Sequence, residues 1–321
     1  MVMKKYLFLT GCLLISFLLG VIKGAVPIHI LHPSVVEKNI LLSVRIPRVI
    51  MAGEVGACLV VAGILFQYVM QNPLADSFTT GASSSSALGA VIAIVIGANC
   101  LILPLSVGFC LLGLIIVYKI SSYQGKLSPL TLLLAGIVIS TFSSALISLL
   151  KFASEESITS IVFWLMGGLQ NATLKKDLIL LVVLFAVLIR LNSLSLSIDL
   201  MAFDDETAIS SGVNIYRLRK ELMFYGALLT GVCVAFSGII GFVGLIVPHI
   251  LRLAKVLKAK ELLLTGALSG ASFLIIADLV SRIALKGGEE LPIGILTSSI
   301  GGVFFLYLLV QNRKRLYQWD T

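Results

Sequence analysis

The chain has 321 residues, of which 58% are hydrophobic and 12% are charged, and its mean hydropathy is +1.07. So few charges cannot cover the surface of a water-soluble protein of this size, which excludes a soluble enzyme or binding module. The composition predicts an all-α polytopic membrane protein that forms a single transmembrane domain over residues 1–321. The net charge of +8 is a matter of membrane topology and does not indicate a nucleic-acid partner.

Apolar segments recur along the whole chain, and a spanning helix needs about 20 mainly apolar residues. The eighth segment is the least regular, because residues 222–254 are too few for two full spans and too many for one, and Pro248 and several glycines interrupt them. We predict about ten spans. Their ranges are 6–26, 48–68, 83–98, 101–118, 131–150, 178–194, 222–239, 241–254, 262–284 and 293–311.

The placement of Lys and Arg predicts the orientation. With ten spans and a cytoplasmic N-terminus, fifteen of the 24 Lys and Arg residues fall on the cytoplasmic side. Nine spans would remove this bias, so the positive-inside rule favours ten spans with both termini in the cytoplasm. The fifteen residues are Lys4, Lys5, Lys119, Lys126, Arg190, Arg217, Arg219, Lys220, Arg252, Lys255, Lys258, Lys260, Arg313, Lys314 and Arg315.

An internal repeat is visible when the two halves are compared. Residues 56–64, GACLVVAGI, are echoed by residues 231–239, GVCVAFSGI, and Pro73 and Pro248 keep the same offset. Five predicted spans separate the two copies, so the second copy would be inverted in the membrane. We expect repeat halves of roughly 45–151 and 220–311. Inverted repeats are typical of transporters, whose pathway lies at the interface between the halves.

The longest mixed polar stretch, residues 195–221, lies between two apolar spans on the predicted cytoplasmic side. Asp204 and Asp205 can cap a short helix, Gly212 can end it in the left-handed conformation, and Asn214 can cap a second short helix. This second helix would carry Tyr216, Arg217 and Arg219. The pattern predicts two short helices outside the membrane, and the alternative is a solvated connecting loop.

Few polar groups lie within the predicted spans. We expect Glu54 to sit near the outer interface and reach an arginine; the alternative is that it faces a pathway. Asp278 and Arg282 have the spacing of an intrahelical ion pair, and the sequence shows no chain of buried carboxylates for protons or sodium ions. His29 and His32 have a spacing that could hold an external metal ion, but Glu37 is the only acid nearby, so we predict no metal site.

The sequence also constrains the energy source. It contains no G-x-x-x-x-G-K-[ST] phosphate loop, so ATP hydrolysis is not expected of this chain. Gly241 and Gly244 before Pro248 predict a short, broken helix whose freed carbonyl groups must be covered by protein. A transporter without an ion relay or a nucleotide site needs an external motor, and the polar stretch is a suitable attachment point for one.

Ordered motifs from about residue 40 to 311 resemble the FecCD family, the permease subunits of ABC importers for ferric siderophores, haem and cobalamin. The resemblance implies a dimeric, ten-span permease in the inner membrane of a bacterium, with two ATPase subunits in the cytoplasm and a substrate-binding protein outside. It implies no cofactor on this chain, since ATP and Mg belong to the ATPase. The motifs are Arg45-Ile46-Pro47-Arg48, residues 71–76 (QNPLAD), 211–219 (SGVNIYRLR), 241–252 (GFVGLIVPHILR), 277–282 (ADLVSR) and 291–294 (LPIG).

The resemblance also assigns roles to residues at matching positions. It implies ATPase coupling by Gly212, Val213, Asn214 and Arg217, within the loop 195–221. It implies an inner gate at Asn72, Leu74 and Ser128. It implies docking of the binding protein by Arg45, Arg48 and Arg282, for which the alternative is that these arginines anchor helix ends at the headgroups.

The predicted function is therefore passage of an iron complex, a ferric siderophore or haem, from a binding protein to the cytoplasm by a homodimeric permease. A cobalamin importer is one alternative. An ion-driven secondary transporter is another, and it would require embedded acids. The chain is not expected to be an enzyme, and its remaining partner is membrane lipid.

Overall fold

The computed structural model describes residues 2–24, 34–123, 126–285 and 289–316. The protein is almost entirely helical, and the only strands in these ranges are a two-residue pair, β1 (Ser122–Tyr123) and β2 (Lys126–Leu127), that runs antiparallel. The predicted all-α fold class is confirmed. The helices are α1 (Val2–Ile22), α2 (Val35–Ile40), α3 (Ile46–Met70), α4 (Ala82–Val95), α5 (Ile102–Ser121), α6 (Pro129–Ala153), α7 (Ile158–Leu165), α8 (Leu174–Phe203), α9 (Asp205–Ser210), α10 (Ile215–Ser237), α11 (Val243–Leu253), α12 (Ala259–Ile283) and α13 (Ile293–Leu316).

Each of the ten predicted spans falls on an apolar helix. Seven helical stretches in the described residues are long and apolar enough to cross a membrane, and three shorter apolar helices lie at 82–95, 243–253 and 293–308. The short ones correspond to the third, eighth and tenth predicted spans. The eighth is α11, which contains Pro248 and is 11 residues long.

Helix α3 is the centre of the bundle, and nearly all of its residues are buried. It packs against α12 and α10, and its small residues allow close approach. A Cβ atom on Gly56 would lie 2.2 Å from the Gly270 carbonyl oxygen, and one on Gly63 would lie 2.2 Å from the Gly244 carbonyl oxygen. Close backbone packing of this kind is the usual basis of helix association in membranes, where burial of apolar surface gives little driving force.

Helix contacts occur in matched pairs across the two halves. Taking α3, α4, α5 and α6 as the counterparts of α10, α11, α12 and α13, the contact of α3 with α12 corresponds to that of α10 with α5. The contacts of α4 with α6 and of α11 with α13 correspond in the same way. The two prolines lie in different structural settings. Pro73 lies in the turn after α3, whereas Pro248 lies inside α11. The contacts therefore follow the same helix order in both halves, whereas the two prolines do not occupy matching positions.

Candidate functional site

The polar stretch 195–221 differs from the prediction at both of its ends. Residues 195–203 continue α8, and the segment predicted as a second short helix is the first turn of the long helix α10. Only α9 is a separate short helix. Helix α8 continues because Ile198 and Met201 are fully buried and Asp199 accepts a hydrogen bond from the backbone N–H of Ala259, which is 2.7 Å away.

The predicted caps by Asp204 and Asn214 and the left-handed Gly212 are confirmed, whereas Asp205 is the first residue of α9 and not its cap. The Asp204 carboxylate accepts a hydrogen bond from the backbone N–H of Thr207 at 2.9 Å, Gly212 has a φ of +84°, and Asn214 accepts from the backbone N–H of Arg217 at 3.0 Å. The hydrogen bond from Thr207 lowers the pKa of the Asp204 carboxyl, because it favours the charged form. Helix α9, the turn at Gly212 and the start of α10 are therefore an ordered unit and not an irregular loop.

Helix α9 is fixed to the core by Asp205. Its carboxylate forms an ion pair with Arg219 of α10 at 3.0 Å, and it accepts a hydrogen bond from the Gln71 side chain at 3.3 Å. Gln71 ends α3 in the left-handed conformation, with a φ of +48°. Arg219 is only 5% exposed, so the charge of Asp205 is the partner of a nearly buried cation. Asp205 thus joins α9, α10 and the end of α3.

The turn after α3 contains the predicted gate residues Asn72 and Leu74. The Asn72 side-chain oxygen accepts from the backbone N–H of Leu74 at 2.9 Å, which closes a turn around Pro73. A cleft of about 580 Å³ connects this turn with α9. The cleft is lined by Gln67, Tyr68, Gln71, Asn72, Pro73, Ala202, Phe203, Asp204, Asp205 and Arg252. We refer to this part of the bundle as the coupling end.

The third predicted gate residue, Ser128, is not joined to the other two. It is exposed and caps α6, where its hydroxyl accepts from the backbone N–H of Thr131 at 3.3 Å. Within the described ranges, no hydrogen bond connects it with Asn72 or Leu74. The structure therefore brings together two of the three predicted gate residues.

The predicted covering of a freed carbonyl at Pro248 is confirmed. Proline has no N–H for the Gly244 carbonyl one turn back, and the Gln67 side chain of α3 donates to that carbonyl at 3.2 Å instead. The Gln67 side-chain oxygen in turn accepts from Arg252 at the end of α11. One glutamine thus ties the broken helix α11 to the last turns of α3.

The opposite end of α3 carries a charged cluster, which we call the arginine end. Arg48 lies 2.9 Å from Asp278 and 2.7 Å from Glu290, and Arg282 Nε lies 3.0 Å from Asp278 Oδ2. The predicted pairing of Asp278 with Arg282 is confirmed. It is an ion pair without hydrogen-bond geometry at Oδ2, because the Arg282 Nε–H donates to the Asp278 backbone carbonyl.

Two arginines at this end, Arg282 of the cluster and the neighbouring Arg45, cap α1. Arg45 donates to the carbonyl groups of Val21 and Ile22 at 3.2 and 3.0 Å. Arg282 donates to those of Gly20 and Lys23 at 3.0 and 3.2 Å. The last carbonyls of a helix have no intrahelical partners and carry partial negative charge. The two guanidinium groups therefore satisfy and neutralise the end of α1.

The docking interpretation of Arg45, Arg48 and Arg282 stays a prediction. The three residues are 5%, 7% and 3% exposed in the isolated chain. Their contacts within the chain support the alternative that they anchor helix ends. The more exposed part of the cluster is the Glu290 side chain, which is 32% exposed.

Sequence reasoning missed a pair of buried acids. Glu54 of α3 and Asp177 of α8 are 8% and 5% exposed, and these two helices pack against each other. In the described part of the chain, Glu54 forms no ion pair with an arginine, contrary to our expectation, and its Oε2 has no hydrogen-bond partner. Their separation by more than a hundred positions left no signal in the sequence.

No metal site is found in the described ranges, where no three His, Cys, Asp or Glu side chains are placed to hold an ion. His29 and His32 lie outside those ranges.

Comparison with known proteins gives consistent relatives over most of the chain. The iron chelatin transport system permease of Helicobacter pylori (strain ATCC 700392 / 26695) is 36% identical over 289 residues, covering 89% of this chain and 87% of that protein. The molybdate import permease MolB of Haemophilus influenzae is 36% identical over 285 residues, covering 87% and 83%. The cobalamin import permease BtuC of Halobacterium salinarum is 35% identical over 278 residues, covering 85% and 74%.

A solved structure has the same fold. It is described as an inward-facing conformation of a metal-chelate type ABC transporter, and it matches with a TM-score of 0.85 and 32% identity over 97% of this chain and 99% of that chain. Relatives of this type are transport subunits and not enzymes, and they work with a separate ATPase and a substrate-binding protein. The model of the FecCD transport family matches residues 8–311, and this chain belongs to that family of ABC importer permeases.

Proposed function

We propose that the chain is the permease of an ATP-driven importer that passes iron complexes, ferric siderophores or haem, into a bacterial cytoplasm. Two copies would form a homodimer in the inner membrane, with two ATPase subunits at the coupling end and a binding protein at the arginine end. ATP and Mg would bind to the ATPase. The positive-inside count supports this orientation, since it assigns the coupling end to the cytoplasm.

The observation that carries the proposal is the position of Asp205. This carboxylate contacts Gln71, the residue immediately before Asn72, and Arg219, in the second turn of α10. An ATPase that displaces α9 would therefore move the turn of Asn72 and Leu74 and the start of α10 together. Gly212, Asn214 and Arg217 are exposed beside α9 and Val213 is partly so, which suits residues that contact an ATPase.

Coupling is tested by replacing Asp205 with Ala in the permease–ATPase complex reconstituted in liposomes. We expect ATP hydrolysis to continue while uptake falls, because α9 can still meet the ATPase but no longer holds Gln71 and Arg219. Glu206→Ala removes a neighbouring acid that has neither contact and serves as the control. Equal uptake by the two variants would contradict a role for Asp205 in transmission.

The contacts of Arg48 indicate how a binding protein would dock at the arginine end. Since Arg48 is paired with the partly exposed Glu290, we propose that an acidic residue of the binding protein displaces Glu290 and takes its place on Arg48. Arg45 and Arg282 would then support this site by holding α1. Glu290→Gln should strengthen binding-protein association, and weaker association in this variant would contradict the exchange.

The cargo is proposed to be an iron complex because a relative of 36% identity is named for iron chelatin. Cobalamin is the alternative, and a relative named for molybdate adds a third class. The decisive experiment is uptake into proteoliposomes with the cognate binding protein, offered ferric siderophore, haem, cobalamin and molybdate separately. Uptake of cobalamin or molybdate alone would overturn the iron proposal without affecting the coupling test.

A further inference from the structure

A groove between the end of α5 and the start of α10 is used by none of the functions above. It has a volume of about 500 Å³ at the coupling end. Its floor is apolar, and Ile115 and Phe224 on its sides are 51% and 48% exposed, so it opens laterally. It is lined by Leu111, Leu114, Ile115, Tyr118, Lys119, Ser122, Tyr216, Lys220, Met223, Phe224 and Ala227.

The end of the groove that lies beyond the apolar floor is cationic and aromatic. Lys220 Nζ lies 4.0 Å from the centre of the Tyr216 ring and 5.7 Å from that of Tyr118, and the two rings are 5.8 Å apart. Lys119 is exposed beside them. Lysine and tyrosine at this level, above apolar side chains, are typical of the boundary between hydrocarbon and headgroups.

The two lysine charges are not neutralised within the described residues. The neighbouring acid Glu221 is paired with Arg190 at 2.6 Å, and Asp205 is paired with Arg219. No ion pair in the described ranges includes Lys119 or Lys220. Two such charges above an apolar, laterally open groove complement a ligand with an anionic head and a hydrocarbon tail.

We infer that this groove binds one anionic phospholipid of the surrounding leaflet. Its phosphate would lie between Lys119 and Lys220, and an acyl chain would lie along Leu111, Ile115 and Phe224. Basic pockets between helices at the membrane surface bind such headgroups in this manner. A soluble phosphate would leave the apolar floor uncovered, whereas a neutral lipid would leave the lysines unpaired.

The groove lies beside the start of α10, so a bound lipid would affect transport. Tyr216 and Lys220 belong to the first two turns of α10, which follow α9 after the short link 211–214. A lipid held between α5 and α10 would brace the start of α10 against α5, next to the segment proposed to receive the ATPase. The binding itself is independent of the cargo and of the ATPase.

The test is native mass spectrometry of the full-length permease in detergent, supplied with phosphatidylglycerol or phosphatidylcholine of identical acyl chains. Wild-type protein should retain phosphatidylglycerol preferentially. Lys119→Gln with Lys220→Gln should weaken that retention by roughly 25-fold, about fivefold for each lysine. The matched control, Lys255→Gln with Lys258→Gln, removes the same charge elsewhere at the coupling end and should retain the lipid.

Two further variants test whether loss of lipid comes from damage to the tyrosine pair and whether the apolar part of the groove is needed. Lys119→Gln alone leaves the Lys220 contacts with the tyrosine rings intact, so loss of lipid in this variant cannot be attributed to damage of the aromatic pair. Ile115→Trp narrows the groove from its side without changing charge and should also reduce retention. Equal retention of the two lipids, or equal loss in the test and control doubles, would overturn the inference. Displacement of the lipid by inorganic phosphate, with Ile115→Trp unchanged, would instead indicate a site for soluble phosphate.

Discussion

Gly212 is required by its backbone conformation and not by lack of space. Its φ is +84°, while a Cβ atom at this position would meet no atom within 4 Å. A side chain there would therefore cost free energy only through the left-handed conformation, which β-branched residues rarely adopt and asparagine tolerates. Because steric crowding plays no part here, a substitution at Gly212 tests only whether the turn between α9 and α10 needs a positive φ.

We predict that Gly212→Val destabilises this turn by about 1–2 kcal/mol and lowers transport, with membrane insertion unchanged. Gly212→Asn is the matched control and should retain most of the activity, because asparagine reaches the left-handed region at a lower cost. The measurement is uptake at equal permease content in the membrane. Equal uptake by Val and Asn variants would show that the turn does not need a positive φ.

A substitution of Arg48 can show whether this residue anchors helix ends or docks the binding protein. It is 7% exposed and paired with both Asp278 and Glu290. We predict that Arg48→Met lowers the stability of the detergent-solubilised permease by about 3–5 kcal/mol, since it leaves a buried charge with one partner fewer. Lys38→Met, at an exposed position near the same end, should change stability little. Unchanged stability together with weakened binding-protein association would favour docking instead.

The site residues that could be predicted are those whose partners are near in sequence. The caps by Asp204 and Asn214 and the pair of Asp278 with Arg282 lie within four positions of their partners, so spacing alone indicates them. The contacts of Asp205 with Gln71 and Arg219 join different helices, and so does the hydrogen bond from Ala259 to Asp199. No local pattern records which helices are neighbours, and these contacts therefore appeared only in the structure.

At the scale of the helix, α11 combines a proline with an external substitute for its missing hydrogen bond. The Gly244 carbonyl is covered by Gln67, so an interruption that would normally weaken a buried helix is compensated from α3. The sequence indicated the interruption and the need for cover. It could not identify Gln67, because the donor comes from a helix more than 170 positions earlier in the chain.

We predict that Gln67→Met destabilises the permease by about 1–3 kcal/mol, the usual cost of leaving a buried polar group unsatisfied. Pro248→Ala restores a backbone N–H that can bond to Gly244, so the same Gln67→Met change should cost less in that background. The measurement is a double-mutant cycle of thermal stability in detergent. Additive effects of the two substitutions would contradict the shared carbonyl.

Helix α8 shows why polar composition is a poor guide to where a helix ends. Ser195, Ser197 and Asp199 make the segment read as a loop, yet it stays helical through Phe203. Ile198 and Met201 bury their side chains, and Asp199 caps α12 through the N–H of Ala259. Tertiary packing thus overrides the local pattern here, whereas the strongly apolar helices were predicted correctly from composition.

For the whole molecule, the sequence predicts which side of the membrane each loop faces. The helix bundle alone does not determine this orientation. We predict that a fluorescent protein fused after Thr321 is fluorescent in the cytoplasm and that a phosphatase inserted after Gly288 is active outside. Both follow from the excess of Lys and Arg on one side of a ten-span chain. With a cytoplasmic N-terminus, a dark fusion in well-expressed protein would mean nine spans and would invalidate the inverted repeat.

The capped end of α1 has a consequence for the order of biogenesis. Helix α1 leaves the ribosome first, but it packs mainly on α12, and Arg282, which holds its last turn, lies 262 positions after Gly20. At a synthesis rate of about 5–20 residues per second, roughly 13–50 s separate the two residues. Arg45 follows within 24 residues and can hold the Val21 and Ile22 carbonyls early, whereas the Gly20 and Lys23 carbonyls gain their donor only when the ninth span has been made.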